Sequence, residues 1–136
     1  MALYRPLTEA ELDGIAAGVA LAGELLGVER PPRIEDLQAL YDALLDEPVK
    51  NAAAVDALGY AFGNLFLECD WLHWAMMLDD EYGDEISIAV EDRALGCSPL
   101  SMIRNRLEDQ EAWKLAELLE ETVSRLRQLG QRASLP

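Results

Sequence analysis

A chain of 136 residues is long enough for one domain with a real core and too short for two comfortable ones. Twenty-six Asp and Glu against eleven Lys and Arg give a formal net charge of −15. That field repels phosphate backbones and anionic headgroups, which argues against nucleic acid and membrane surfaces as partners and leaves a basic protein or a cation as the complementary choice.

The N-terminus, MALYRPLTEAELDG, is acidic where a signal peptide would be basic. The most apolar stretch, Ile15 to Gly23, is far short of the roughly 20 residues that span a bilayer. A cytoplasmic location is therefore expected, with Cys69 and Cys97 as reduced thiols. Two cysteines so far apart make neither a zinc knuckle nor a redox pair.

Thr8 and Glu11 form a capping box ahead of a first helix, in which Leu12, Ile15, Val19, Ala22 and Leu26 recur at helical spacing until Gly27 stops it. Pro31 and Pro32 mark a loop. Ile34, Leu37, Leu40, Tyr41, Leu44 and Leu45 line a second helix that Pro48 ends. A third helix runs from about Ala52 to Glu68 with Val55, Leu58, Phe62, Leu65 and Phe66 as its stripe. Gly59 and Gly63 lie one turn apart beside that stripe, as Gly14 and Gly18 do in the first helix. Each glycine costs on the order of 1 kcal/mol against alanine, so close approach of helix backbones is the expected compensation.

After Asp70 the period changes to two. Leu72, Trp74, Met76 and Leu78 alternate with Trp71, His73, Ala75 and Met77, and Ile86, Ile88 and Val90 alternate with Glu85, Ser87, Ala89 and Glu91. All core-facing residues carry even numbers, so opposed positions must sum to an even number and the loop between the strands must be odd in length. A three-residue loop, Glu81-Tyr82-Gly83, pairs Leu78 with Ile86, Met76 with Ile88 and Trp74 with Val90. On the other face it sets His73 against Glu91 and Trp71 against Arg93. It also opposes Asp79 to Glu85 and Asp80 to Asp84, at a few tenths to about 1 kcal/mol of repulsion per pair.

A short third strand is read in Arg93–Cys97. Ser98 and Pro99 open a fourth helix carrying Leu100, Ile103 and Leu107. The last helix is read from near Asp109, burying Ala112, Ala116, Leu119, Val123 and Leu126, with Gly130 closing it and 131–136 as a frayed tail. The expected architecture is a single α+β domain over 1–136: about five helices and an antiparallel hairpin.

The hairpin tip, LDDEYGDE, supplies the candidate site. Asp79, Asp80, Glu81, Tyr82, Asp84 and Glu85, with Trp71, His73 and Met77 on the second sheet face, form the expected partner-binding set. A calcium-binding EF-hand needs a twelve-residue loop with alternating ligands, which this tip lacks, so no metal and no cofactor is assigned. His73 follows Cys69 by four residues, but the change of period between them breaks a dyad. Ser98 follows Gly96-Cys97, yet Leu100 replaces the second glycine of a nucleophile elbow. No catalytic residue is assigned. Arg104 and Arg106 are each expected to answer a neighbouring carboxylate, and Trp74 and Trp113 are expected to be the tryptophans buried first.

Three segments carry a resemblance: LGYAFGNLF from Leu58, WAMMLDDEYGDE from Trp74, and SPLSMIRNRLED from Ser98. Over Leu58 to Leu107 the chain resembles a bacterial family known only as a domain of unknown function, number 3806. The resemblance implies helices around a small sheet, and it brings no established reaction and no catalytic residues. The sequence is thus read as a noncatalytic protein-binding domain, for example an immunity-type inhibitor of a basic partner. The alternatives are a hydrolase or metal-dependent enzyme using the tip, and a self-associating structural subunit using the Trp71/Met77 face.

Overall fold

The computed structural model describes residues 3–46, 51–81, 83–90 and 95–133. In chain order the elements are β1 (Leu3–Arg5), α1 (Glu9–Leu26), α2 (Ile34–Leu44), α3 (Ala52–Leu65), β2 (Leu72–Leu78), β3 (Glu85–Val90), β4 (Gly96–Cys97), α4 (Pro99–Glu108) and α5 (Leu115–Ala133). One 3₁₀ turn, Phe66–Glu68, follows α3. The strands form one antiparallel sheet in the order β1-β2-β3-β4. The α+β class and its five helices agree with the sequence reading. Pro48, Arg93 and the last three residues of the expected tail lie outside the described residues.

Helix α3 is the centre of the fold, packing against α1, α2 and α4. The apolar positions of α3 and of the turn after it are almost dry: Val55, Leu58, Phe62 and Phe66 are buried, and the Phe62 and Phe66 rings meet edge to face at 5.4 Å. The glycines explain the closeness. A Cβ on residue 59 would stand 3.0 Å from the Leu100 Cα. One on residue 63 would overlap the Trp74 ring and stand 2.9 Å from Pro99 Cγ. The backbone approach expected from the glycine spacing therefore occurs between α3 and the start of α4. Between α1 and α3 a side chain fills the gap, since Gly18 faces the Tyr60 ring, and Gly14 meets nothing within 4 Å.

The helix boundaries follow local chemistry. Thr8 and Glu11 form the expected reciprocal cap, and Gly27 ends α1 at φ 69°. Glu11 also takes both of its Arg5 contacts at 2.9 Å, tying β1 to α1. The Arg5 guanidinium, followed by the Thr8 backbone amide, lowers the Glu11 carboxyl to about 2. Ser98 caps α4 ahead of Pro99 as expected.

Helix α5 departs from expectation. It starts at Leu115 rather than Asp109, because Gln110 turns left-handed at φ 55° and breaks the chain from α4. Its buried face is consequently Leu115, Leu118 and Leu126, with Leu119 and Val123 half-buried, while Ala112 and Ala116 stand exposed. Gly130 does not close it, since the helix runs to Ala133.

The sheet keeps the expected parity in a different register. Leu72 opposes Val90, Trp74 opposes Ile88 and Met76 opposes Ile86, a slip of two residues from the expected pairing. A slip of two leaves each side chain on its face, so Leu72 and Ile88 still enter the helical core. Against expectation, His73 opposes Ala89, and the Trp71 ring lies beneath the Arg127 guanidinium at 5.4 Å. Glu91 and Arg93 lie outside the described residues.

The second face is also shielded. Ala75, Ser87 and Ala89 are 2%, 1% and 1% exposed. Tyr4, on the same face, brings its hydroxyl 2.9 Å from where a residue-96 Cβ would be. Strands about 4.8 Å apart would separate β1 from β4 by roughly 14 Å in a flat sheet, too far for that contact. The sheet is therefore curled, and Gly96 leaves room for the Tyr4 hydroxyl. Burial, with Cys97 nearby, raises the Tyr4 hydroxyl above its ordinary value.

Two outcomes test this packing. Gly63→Ala should lower stability by about 1–3 kcal/mol in urea unfolding, because rigid Trp74 and Pro99 cannot yield. Gly14→Ala should be neutral or stabilising by up to about 1 kcal/mol. The second concerns pH. With the Glu11 pKa depressed from 4.5 to about 2, its charge stabilises the fold above about pH 4.5, and that contribution is lost as pH falls towards 2. The stability gap between the parent and Glu11→Gln should therefore close over that interval.

Candidate functional site: the hairpin tip and the Trp113 saddle

At the tip the chain closes through Gly83, at φ 88°, whose amide donates to the Asp79 carbonyl at 3.0 Å. The Asp79 carboxylate accepts from the Glu81 amide at 2.8 Å, and the Asp84 carboxylate accepts from the Asp79 amide at 3.4 Å. Two of the acidic side chains thus serve as internal turn caps, which is why aspartate suits these positions. Asp80, Glu81 and Asp84 are exposed, and Tyr82 lies outside the described residues.

Glu85 does not join them. It opposes Met77, and its carboxylate accepts from the Ser98 hydroxyl at 2.8 Å and from the Ser101 hydroxyl at the start of α4. A carboxylate at the positive end of a helix is stabilised there, and this contact anchors β3 in its observed register. The expected oppositions of Asp79 to Glu85 and Asp80 to Asp84 are therefore absent.

Other sequence-predicted site residues are dispersed. His73 is exposed near the far end of β2, so at about 3.3 Å per residue it stands roughly 20 Å from Asp79. Ala75 is buried, Met77 half-buried, and Trp71 packs on the core. These residues do not form one exposed patch. No group of three His, Cys, Asp or Glu suited to a metal occurs among the described residues. Both cysteines are free, and burial pushes the Cys97 thiol up to about 12, where it stays protonated.

The structure builds a different feature around Trp113, in the connection between α4 and α5. Gln38 of α2 clamps this segment: its amide nitrogen donates to the Trp113 carbonyl at 2.8 Å, and its oxygen accepts from the Leu115 amide at 2.6 Å. Tyr41 donates to the Glu111 carbonyl at 2.5 Å. The indole N–H donates to the Glu111 carboxylate at 2.6 Å, and the Arg106 guanidinium lies 4.6 Å over the ring. Arg106 thus answers an aromatic face and the Met102 carbonyl instead of a carboxylate, whereas Arg104 does pair with Asp56 at 3.0 Å.

Trp113 is half-buried and stands as a ridge between two depressions. One, of about 680 Å³, is floored by Ile34, Ala112 and Ala116 and edged by Glu35, Asp42 and Lys114. The other, of about 760 Å³, is bordered by Arg106, Glu117, Glu120, Glu121 and Arg125. Sequence reasoning missed this saddle because it assigned Ala112 and Ala116 to a buried helix face. The available signal was polar: Gln38 sits among the apolar positions of α2, where a side-chain amide needs a partner.

A model of a family described as a domain of unknown function, DUF3806, matches residues 34–118. The match is wider than the stretch carried by the three segments above, and it takes in α2, α3, β2, β3, β4, α4 and the Trp113 connection. No curated protein and no solved structure matches the chain.

Removing the clamp tests this geometry. Gln38→Ala should destabilise the protein by about 1–3 kcal/mol, since it leaves two backbone groups without their partner. The same variant should shift Trp113 emission to the red, as read against Trp113→Phe in each background.

Proposed function

The chain belongs to the DUF3806 family, and from that premise we propose that it is a noncatalytic binding domain for a basic protein, acting in the bacterial cytoplasm as an immunity-type inhibitor would. One observation carries the reading: the arginines are largely used internally while many carboxylates are left to solvent. Arg5, Arg30 and Arg104 pair with Glu11, Asp36 and Asp56, and Arg106 and Arg127 lie over tryptophan rings. Asp80, Glu81, Glu117, Glu120 and Glu121 are exposed, with no ion pair among the described residues. Much of the net charge of −15 is therefore expressed outward, where it speeds encounter with a cationic surface.

The test is capture of a partner on the immobilised full chain, followed by binding kinetics with the purified partner. The expected partner is basic. Association should slow several-fold between about 0.05 M and about 0.5 M salt. Replacing Asp80 and Asp84 together by Asn should slow it further at low salt. A partner bound equally well at both ionic strengths would overturn the reading.

A further inference from the structure

We propose that the Trp113 saddle is the docking surface for a basic peptide segment, one that seats an apolar side chain beside the indole and sets lysine or arginine on the acidic rims. The inference rests on the binding reading above and assigns it a place. Three features of the saddle converge. The depression floored by Ile34, Ala112 and Ala116 offers apolar surface at an exposed site. Indole is among the groups that contribute most at interface centres, and this one is held by its Glu111 hydrogen bond and the Gln38 clamp. Its orientation is therefore fixed in the free protein, so docking need not order it.

Charge selects the occupant. Glu35 and Asp42 edge the apolar side, and Glu117, Glu120 and Glu121 border the other. Of the cations there, Arg106 is committed to the Trp113 face, and Lys114 on the apolar side and Arg125 on the other are outnumbered by these carboxylates. An acidic segment would be repelled from both rims, and an uncharged apolar one would leave the carboxylates unanswered. A segment carrying both an apolar residue and flanking cations answers the floor and the rims together.

The experiment titrates the full chain with three synthetic peptides of equal length: leucine with lysine, lysine with serine at the same charge, and leucine with glutamate. Trp113 emission and calorimetry give the affinities, and stopped-flow gives the rates. The leucine–lysine peptide should bind, shifting the emission, and the other two should bind at least about tenfold more weakly. Ala116→Arg fills the exposed floor, and Glu35→Lys reverses one rim. Each should weaken the leucine–lysine peptide by at least about tenfold, mainly through faster dissociation, with circular dichroism unchanged. The Asp80→Asn, Asp84→Asn double variant should slow association and leave dissociation alone.

Equal binding of the lysine–serine peptide would overturn the proposal, since charge alone would then suffice. So would leucine–lysine affinity within about twofold of the parent in both Ala116→Arg and Glu35→Lys. Salt-sensitive binding that ignores those two variants removes this docking site and leaves the binding reading standing. If no basic peptide binds even at low salt, both fall.

Discussion

The fold depends on how closely other elements can come to one face of α3. Gly59 and Gly63 remove the side chains that would hold α4 and the sheet away, so Leu100, Pro99 and the Trp74 ring all rest against the helix backbone. Interiors pack at crystal-like density, and a single methyl at position 63 has nowhere to go. The consequence extends along the chain. With the start of α4 fixed on α3, Ser98 and Ser101 are placed where Glu85 can meet them, and that contact holds β3 in its register. The far end of α4 then sets where the chain must turn towards α5. The glycines thus bear on the sheet's register and on the position of the Trp113 connection, although neither Glu85 nor Trp113 is among their neighbours.

Alternation of apolar residues made the two long strands and their core faces legible, because parity is a property of side-chain direction alone. It could not choose between pairings that differ by two residues, since both put Leu72, Trp74 and Ile88 inward. That choice belongs to the Glu85 contact with α4, a tertiary interaction with no local pattern. Strand β1 was illegible for a similar reason. Three residues are too few for a period, and Leu3–Arg5 is held by pairing with β2 and by the Arg5–Glu11 bridge. Gly96 makes sense only once the Tyr4 hydroxyl is known to reach it across the second face, where Ala75, Ser87 and Ala89 are buried. Caps were read well, at Thr8, Gly27 and Ser98, because their chemistry is complete within a few residues.

The candidate site was legible in charge and illegible in place. The carboxylates of the tip are where the sequence puts them, but two of them cap the turn and Glu85 turns to α4. An acidic sequence run is therefore a poor guide to the number of free charges, since backbone amides within the run compete for the same oxygens. The residues that make the saddle lie far apart in the chain, Ile34 and Gln38 on α2 and Ala112 to Ala116 after α4. They meet because Gln110 adopts a left-handed conformation, and nothing in its side chain demands one.

Rigid aromatic surface and diffuse negative charge do different work in recognition. Long-range charge raises the frequency of productive encounters and is weakened by salt, while contacts made after desolvation set how long a complex lasts. Asp80, Glu81 and Asp84 at the tip suit the first role because they are exposed. The saddle suits the second. Its indole is already ordered through Glu111, Arg106 and the Gln38 clamp, so a partner would not have to supply the free energy of ordering it. That division explains why a polar residue such as Gln38 is useful on an otherwise apolar face of α2. Leucine there would bury more apolar area, but it could not satisfy the Trp113 carbonyl and the Leu115 amide, and the segment carrying the indole would lose its anchor to α2.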